Sequence, residues 1–322
     1  TPNFIFRFSL GETDYQLGAT DYERFAAEYA FFGRSVWQQT LNLTDEEKTE
    51  LIRLLQENYR PENRVYRYNF FYDNCATRPR DKIEESIAGK VIYPAEPQDG
   101  SLTFRDIVHQ YCKGHPWARF GIDLCIGSEA DQPITQRQMM FAPFYLMDAF
   151  DGAQIKGDSI QRPLITANEL VVDATPEPDE SDWMPTPLQC SLLLFILTAA
   201  ATIYGIRRRT GLWGIDLFLF GIAGIVGCVL AFLALFSQHP AVSSNFLLLV
   251  FHPGQLLFLP YIIYCVRKGK KCWYLTLNLA VLTLFIVLFP VIPQRFDFAV
   301  VPLALVLLIR SASNLIVTSK KK

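Results

Sequence analysis

Two patterns of apolar and polar positions divide this chain. From Leu188 onward it reads as apolar runs, Leu188 to Ile206, Leu212 to Phe236, Phe246 to Val266, Trp273 to Ile292 and Phe298 to Val317. Each is about 20 residues, the length that crosses a hydrocarbon core. Before Leu188 the pattern is that of a domain in water. Phe4, Phe6 and Phe8 alternate with Ile5, Arg7 and Ser9, which predicts a strand ending at Gly11. Thr44 and Glu47 have capping-box spacing ahead of Leu51, Leu54 and Leu55, so a helix is expected there, closed by Arg60-Pro61-Glu62. Val65 to Phe71, aromatic and β-branched, predicts a second strand. Arg80 to Ile87 predicts a helix that tolerates Pro79 only in its first turn. Thr103 to Tyr111 is a further capped helix, with Asp106 answering Thr103 and Gly114 suited to the C-terminal cap. The stretch Asp173 to Pro187, rich in proline and acid, predicts a linker, with Trp183 as an interfacial anchor. The expected organisation is a domain over 1–172, the linker over 173–187 and five transmembrane helices over 188–322.

Charge sets the orientation. Residues 1–187 carry 18 Lys+Arg against 30 Asp+Glu, whereas the tail carries 12 basic and 2 acidic residues. Ten of those 12 fall in Arg207 to Arg209, Arg267 to Lys271 and Lys320 to Lys322, loops that five crossings put on one side. By the positive-inside rule that side is the cytoplasm, so the head is outside. An acidic head gives no reason to expect a nucleic-acid partner. Asp216 and Arg310 fall at similar depths in the apolar runs, about 10 to 15 Å from the cytoplasmic face at 1.5 Å per residue, and are expected to pair. His252-Pro253-Gly254-Gln255 interrupts the third run. Because Thr1 opens on Pro2-Asn3-Phe4 with neither a start Met nor an apolar signal core, an exported head implies a signal peptide ahead of it.

The seven cysteines suggest neither a disulfide scaffold nor a metal site, and no cofactor is expected. Cys190, Cys228, Cys265 and Cys272 lie in or beside apolar runs, which leaves Cys75, Cys112 and Cys125 in the head. Cys75 sits where a strand hands over to a helix. Helix N-terminal amides and the nearby Arg78 and Arg80 would stabilise its thiolate, whereas the plain alternative is a buried structural thiol. Cysteine acyl chemistry also needs a base, and His109 or His115 is available in the sequence. Arg78 and Arg80 suit the oxygens of a phospholipid phosphate, or else salt bridges to Asp73 or Asp81.

The run Tyr68-Asn69-Phe70-Phe71-Tyr72-Asp73-Asn74-Cys75-Ala76-Thr77-Arg78-Pro79-Arg80-Asp81 resembles the signature of the Lnb-type N-terminal periplasmic domain family of Bacteroidota-like bacteria. Gly33-Arg34, Leu41 to Thr44, Pro61 to Arg64, Gly121 to Leu124 and Tyr145 to Phe150 are similar to that family in the same order, as are His239 to Leu248 and the break at His252-Pro253. The resemblance implies an α+β papain-like domain, similar to permuted NlpC-type hydrolases, followed by an all-α bundle of five transmembrane helices in the inner membrane, with a cytoplasmic C-terminus. It implies an enzyme that moves an acyl chain from membrane phospholipid to the α-amino group of a lipoprotein's lipid-modified N-terminal cysteine, with Cys75 as the acyl-accepting nucleophile. The family's histidine belongs to a Gly-His-Thr-Ala type motif upstream of the first strand, and this sequence has no such motif. Two other readings stay open, a cysteine peptidase or amidase on cell-wall peptide and a non-catalytic membrane scaffold or sensor.

Overall fold

The computed structural model describes residues 3–95, 102–157, 161–174 and 184–319. Elements up to residue 172 are, in chain order, α1 (Phe4–Leu10), β1 (Asp14–Gln16), α2 (Tyr22–Phe31), β2 (Val36–Leu41), α3 (Asp45–Tyr59), β3 (Val65–Arg67), α4 (Thr77–Ser86), β4 (Lys90–Ile92), α5 (Phe104–Tyr111), α6 (Pro116–Cys125), α7 (Gln136–Met139), α8 (Pro143–Asp151), β5 (Gln154–Lys156), β6 (Gln161–Pro163) and β7 (Ile165–Val172). The remainder is helical: α9 (Pro187–Arg208), α10 (Trp213–Phe236), α11 (Pro253–Leu257), α12 (Leu259–Lys268), α13 (Trp273–Leu288) and α14 (Val300–Ser319).

The chain forms two compact units, 1–107 with 133–182 and 108–132 with 183–322. The boundary expected at 172 therefore misses one segment: Val108–Gln132 belongs with the apolar helices. Its backbone hydrogen bonds explain why. Gly127 N–H donates to Ala241 O at 2.6 Å, Ser128 N–H donates to Ser244 O at 2.9 Å, and Asn245 Nδ2 donates to Leu124 O at 2.7 Å. Gln294 Nε2 closes the seam by donating to Ile126 O at 3.2 Å. Gly127 is needed here, since a Cβ would lie 2.5 Å from Ser244 O.

Within the first unit, short antiparallel ladders pair β1 with β3, β2 with β7, and β4 with β5 and β6. Leu43, Ile87, Phe150, Ala153, Ile155, Leu164 and Ile165 make one apolar core. A second centre is aromatic, with Phe71, Phe104 and Phe141 in mutual ring contact at 4.3 to 5.3 Å. The Thr44 capping box forms and starts α3, which ends at Arg60. Thr103 and Asp106 cap α5 in the same reciprocal way. The strand expected over Phe4 to Phe8 is instead α1, closed by Gly11 at φ 73°, whose N–H reaches the Arg7 and Phe8 carbonyls. Alternating phenylalanines make a strand only where a ladder partner lies in register, and none of the described strands pairs with this segment. The second strand is likewise shorter than expected, stopping at Arg67 before the turns that carry Cys75.

In the second unit α9, α10 and α14 are each long and apolar enough to cross a membrane, while α12 and α13 pass that test together, bent by 111° at their break. The third apolar run is not one helix but a 3-10 turn over Phe246–Leu249, then α11, then α12. Pro253 lacks the N–H that would continue a helix through it, so the chain restarts there. Thr186 and Gln189 form the capping box of α9, with Pro187 in its first turn. Most of the linker, with Trp183, and the terminal Lys320 to Lys322 lie outside the described residues.

Candidate functional site

Cys75 is exposed, unbonded to any other cysteine, and two residues ahead of α4. The turn that presents it is built by Asn74, which is 4 % exposed. Asn74 Oδ1 accepts from the N–H groups of Ala76 and Thr77 at 2.8 and 3.0 Å. Its Nδ2 donates to Phe70 O and Phe141 O, both at 2.9 Å. Thr77 Oγ1 answers by accepting from Asn74 N–H at 2.9 Å. Asn74 thus caps α4 with one end of its amide and anchors the turn to the aromatic core with the other. Cys75 is left between two buried, fully committed neighbours with its own side chain turned outward. That is the geometry of a presented thiol rather than of a core filler.

Tyr66 and Tyr68 lie within electrostatic reach of Cys75. Tyr68 stacks on Tyr15 at 4.2 Å between centroids. Burial, and after it the charge of a Cys75 thiolate, raises the Tyr68 phenol above its ordinary range, and Tyr66 is raised for the same two reasons. Both phenols stay protonated at neutral pH and can donate a hydrogen bond. Arg78 lies over Tyr66 at 3.7 Å and makes a bidentate pair with Asp73 at 2.7 and 2.8 Å. Arg80 is buried, pairs with Asp81 at 2.7 Å and donates to Arg137 O at 3.0 Å. The salt bridges to Asp73 and Asp81 considered from the sequence are both formed, and Arg80 is a structural tie between α4 and α7.

His109 belongs to the second unit, and its Nε2 lies 2.8 and 3.0 Å from the two carboxylate oxygens of Asp123, which is 3 % exposed. A buried acid holding one ring nitrogen is how an imidazole is oriented for proton transfer. None of the four histidines, His109, His115, His239 and His252, lies in the first unit. His115 caps α6 without a side-chain bond to it. The Cys112 thiol is pushed up by burial and then by Asp123, and the Cys125 thiol by burial, which disfavours both as thiolates. Among the described residues no cluster of His, Cys, Asp and Glu could hold a metal. Asn74, Tyr66, Tyr68 and Asp123 were not singled out from sequence. The one available signal was Asn two positions before Ala76-Thr77, a capping residue next to the thiol.

An exposed cysteine at the head of a helix in one unit, and a bundle of apolar helices in the other, are the marks of a membrane protein with a separate cysteine-bearing domain. Family models agree: residues 1–109 match the Lnb N-terminal periplasmic domain and residues 179–322 match the Lnb transmembrane domain, a five-helix type. The chain belongs to the Lnb family, with a periplasmic N-terminal domain and a transmembrane domain. No curated protein and no solved structure matches it.

Proposed function

We propose that this protein is a lipoprotein N-acyltransferase-like enzyme of the inner membrane, with its C-terminus in the cytoplasm and a papain-like periplasmic domain. The observation that supports this most is the presented, unbonded thiol of Cys75 within the run shared with the Lnb family. In the first half-reaction the Cys75 thiolate attacks an ester carbonyl of a membrane phospholipid. The glycerol oxygen leaves, takes up a proton and departs as a lysophospholipid, while the acyl chain stays as a thioester. In the second, the neutral α-amino group of a lipoprotein's lipid-modified cysteine attacks that thioester. The thiolate leaves, the amine gives up a proton to the base, and an amide remains. Arg78 is proposed to meet a phosphate oxygen of the donor, Arg80 being buried.

Mass spectrometry of the protein after incubation with phospholipid tests the reading. A fatty-acyl adduct released by hydroxylamine is expected on the peptide that contains Cys75, absent in Cys75→Ser and retained in Cys112→Ser and Cys125→Ser. Full N-acylation of a lipoprotein by Cys75→Ser protein would overturn the mechanism, and cleavage of cell-wall peptide would move the assignment to a hydrolase.

A further inference from the structure

The break in the third apolar run encloses polar groups that the acyl-transfer reading does not use. Gln255 Nε2 holds the break by donating to Val250 O at 2.7 Å. Helix α10 makes room for it with glycines: a Cβ on Gly227 would lie 2.4 Å from the His252 nitrogen, and one on Gly224 2.5 Å from that of Leu256. His252 Nε2 lies 3.4 Å from Asn278 Oδ1, and Asn278 Nδ2 donates to Ser311 Oγ at 3.0 Å. With its NH₂ committed to Ser311, Asn278 turns its oxygen toward the ring. His252 therefore carries its hydrogen on Nε2 and offers Nδ1 as an acceptor.

Two further atoms have no partner among the described residues. Gln255 is fully buried and its Oε1 accepts nothing, and Tyr274, 3 % exposed, has an unbonded Oη. Nδ1 of His252 and Oη of Tyr274 converge on the bare Cα of Gly254, where a Cβ would lie 2.9 Å from the first and 3.5 Å from the second. An unmet acceptor and an unmet hydroxyl in an apolar bundle carry the full desolvation cost unless another molecule answers them. The ring acceptor and the hydroxyl beside Gly254 call for an O–H or N–H donor. An ammonium would enter without a counter-charge, because Asp216 is already paired with Arg310. The access is from the bilayer: His252 is partly exposed, and Leu249, Leu256 and Leu257 beside the break are exposed apolar side chains.

We propose that His252 and Tyr274, meeting beside Gly254, bind the free hydroxyl of an uncharged glycerol-based lipid entering from the bilayer, a role separate from the thiol chemistry. Water offers the same O–H donor, so the test separates the two sources. The whole chain is placed in phosphatidylcholine nanodiscs containing either diacylglycerol or its acetylated analogue, which lacks the hydroxyl, and lipid retained on the protein is counted by native mass spectrometry. Retention of diacylglycerol over the analogue is expected to be about five- to tenfold, the worth of one buried hydrogen bond. Tyr274→Phe removes only an unpartnered hydroxyl and so should keep the fold while abolishing that preference. Equal retention of the two lipids by the unaltered protein would assign the donor to water and overturn the proposal, as would an unchanged preference in Tyr274→Phe.

Discussion

Arg310 and Asp216 form a buried bidentate ion pair, Nε to Oδ1 at 2.7 Å and Nη2 to Oδ2 at 3.0 Å, with Arg310 Nη1 donating to Thr202 Oγ1 at 2.9 Å. One contact set thereby ties α14 to α10 and α9. The pairing expected from the matched depths of the two residues is the one observed. Because a lone charge in such a place is far costlier than none, Arg310→Met or Asp216→Leu alone is expected to destabilise the protein by about 3 to 5 kcal/mol. The double variant should recover most of that loss. Thermal unfolding in detergent for the complete double-mutant cycle checks this, and simply additive losses would speak against direct coupling.

Asn74 governs how Cys75 is presented. Asn74→Ala removes two accepted and two donated hydrogen bonds at a buried site, and a stability loss of about 2 to 3 kcal/mol is expected. Asn74→Asp keeps the oxygen that caps α4 but loses the donors to Phe70 and Phe141, so it should restore helix capping without restoring the anchor. Alkylation of Cys75 by a maleimide, followed alongside thermal unfolding, should accelerate in Asn74→Ala as the turn loosens.

Orientation can be read directly. Reporter fusions at residues 180, 208, 240 and 269 and at the C-terminus are expected to report outside, inside, outside, inside and inside. A head fusion reporting cytoplasmic would exclude periplasmic chemistry altogether.

Glu47 predicts an acid limit for the first unit. Burial works to raise its carboxyl, but the Thr44 N–H, Arg162 and the Ala88 N–H outweigh it and hold the group below its ordinary range. A depressed folded-state value contributes stability that is fully present above the unfolded value and is lost as pH falls through the folded one, below about pH 4. Glu47→Gln should therefore be less stable at pH 7 by about 3 kcal/mol, with the gap to the unaltered protein closing toward pH 3. Denaturant midpoints across that range measure it.

Local chemistry was legible in the sequence wherever a few neighbouring residues decide the outcome. The Thr44 and Thr103 caps each need only a residue three positions on, and both form. Apolar run length announced the membrane helices α9, α10 and α14, since transfer energies sum along the chain. The run around Cys75 carried the family in fourteen residues, and the depth of Asp216 and Arg310 along their helices was enough to pair them.

What only the tertiary structure decided depends on partners distant in sequence. Phe4 to Leu10 is a helix because alternation makes a strand only with a partner in register, and no described strand supplies one. The third apolar run breaks because Gln255 and the glycines of α10 support an interruption that hydropathy averages over. Val108–Gln132 joins the membrane helices because its unpaired backbone groups are satisfied by Ala241, Ser244, Asn245 and Gln294, more than a hundred residues away. Asn74 matters for the same reason: its amide meets Phe141, 67 positions along the chain, and no local pattern records a hydrogen bond that the fold alone brings within reach.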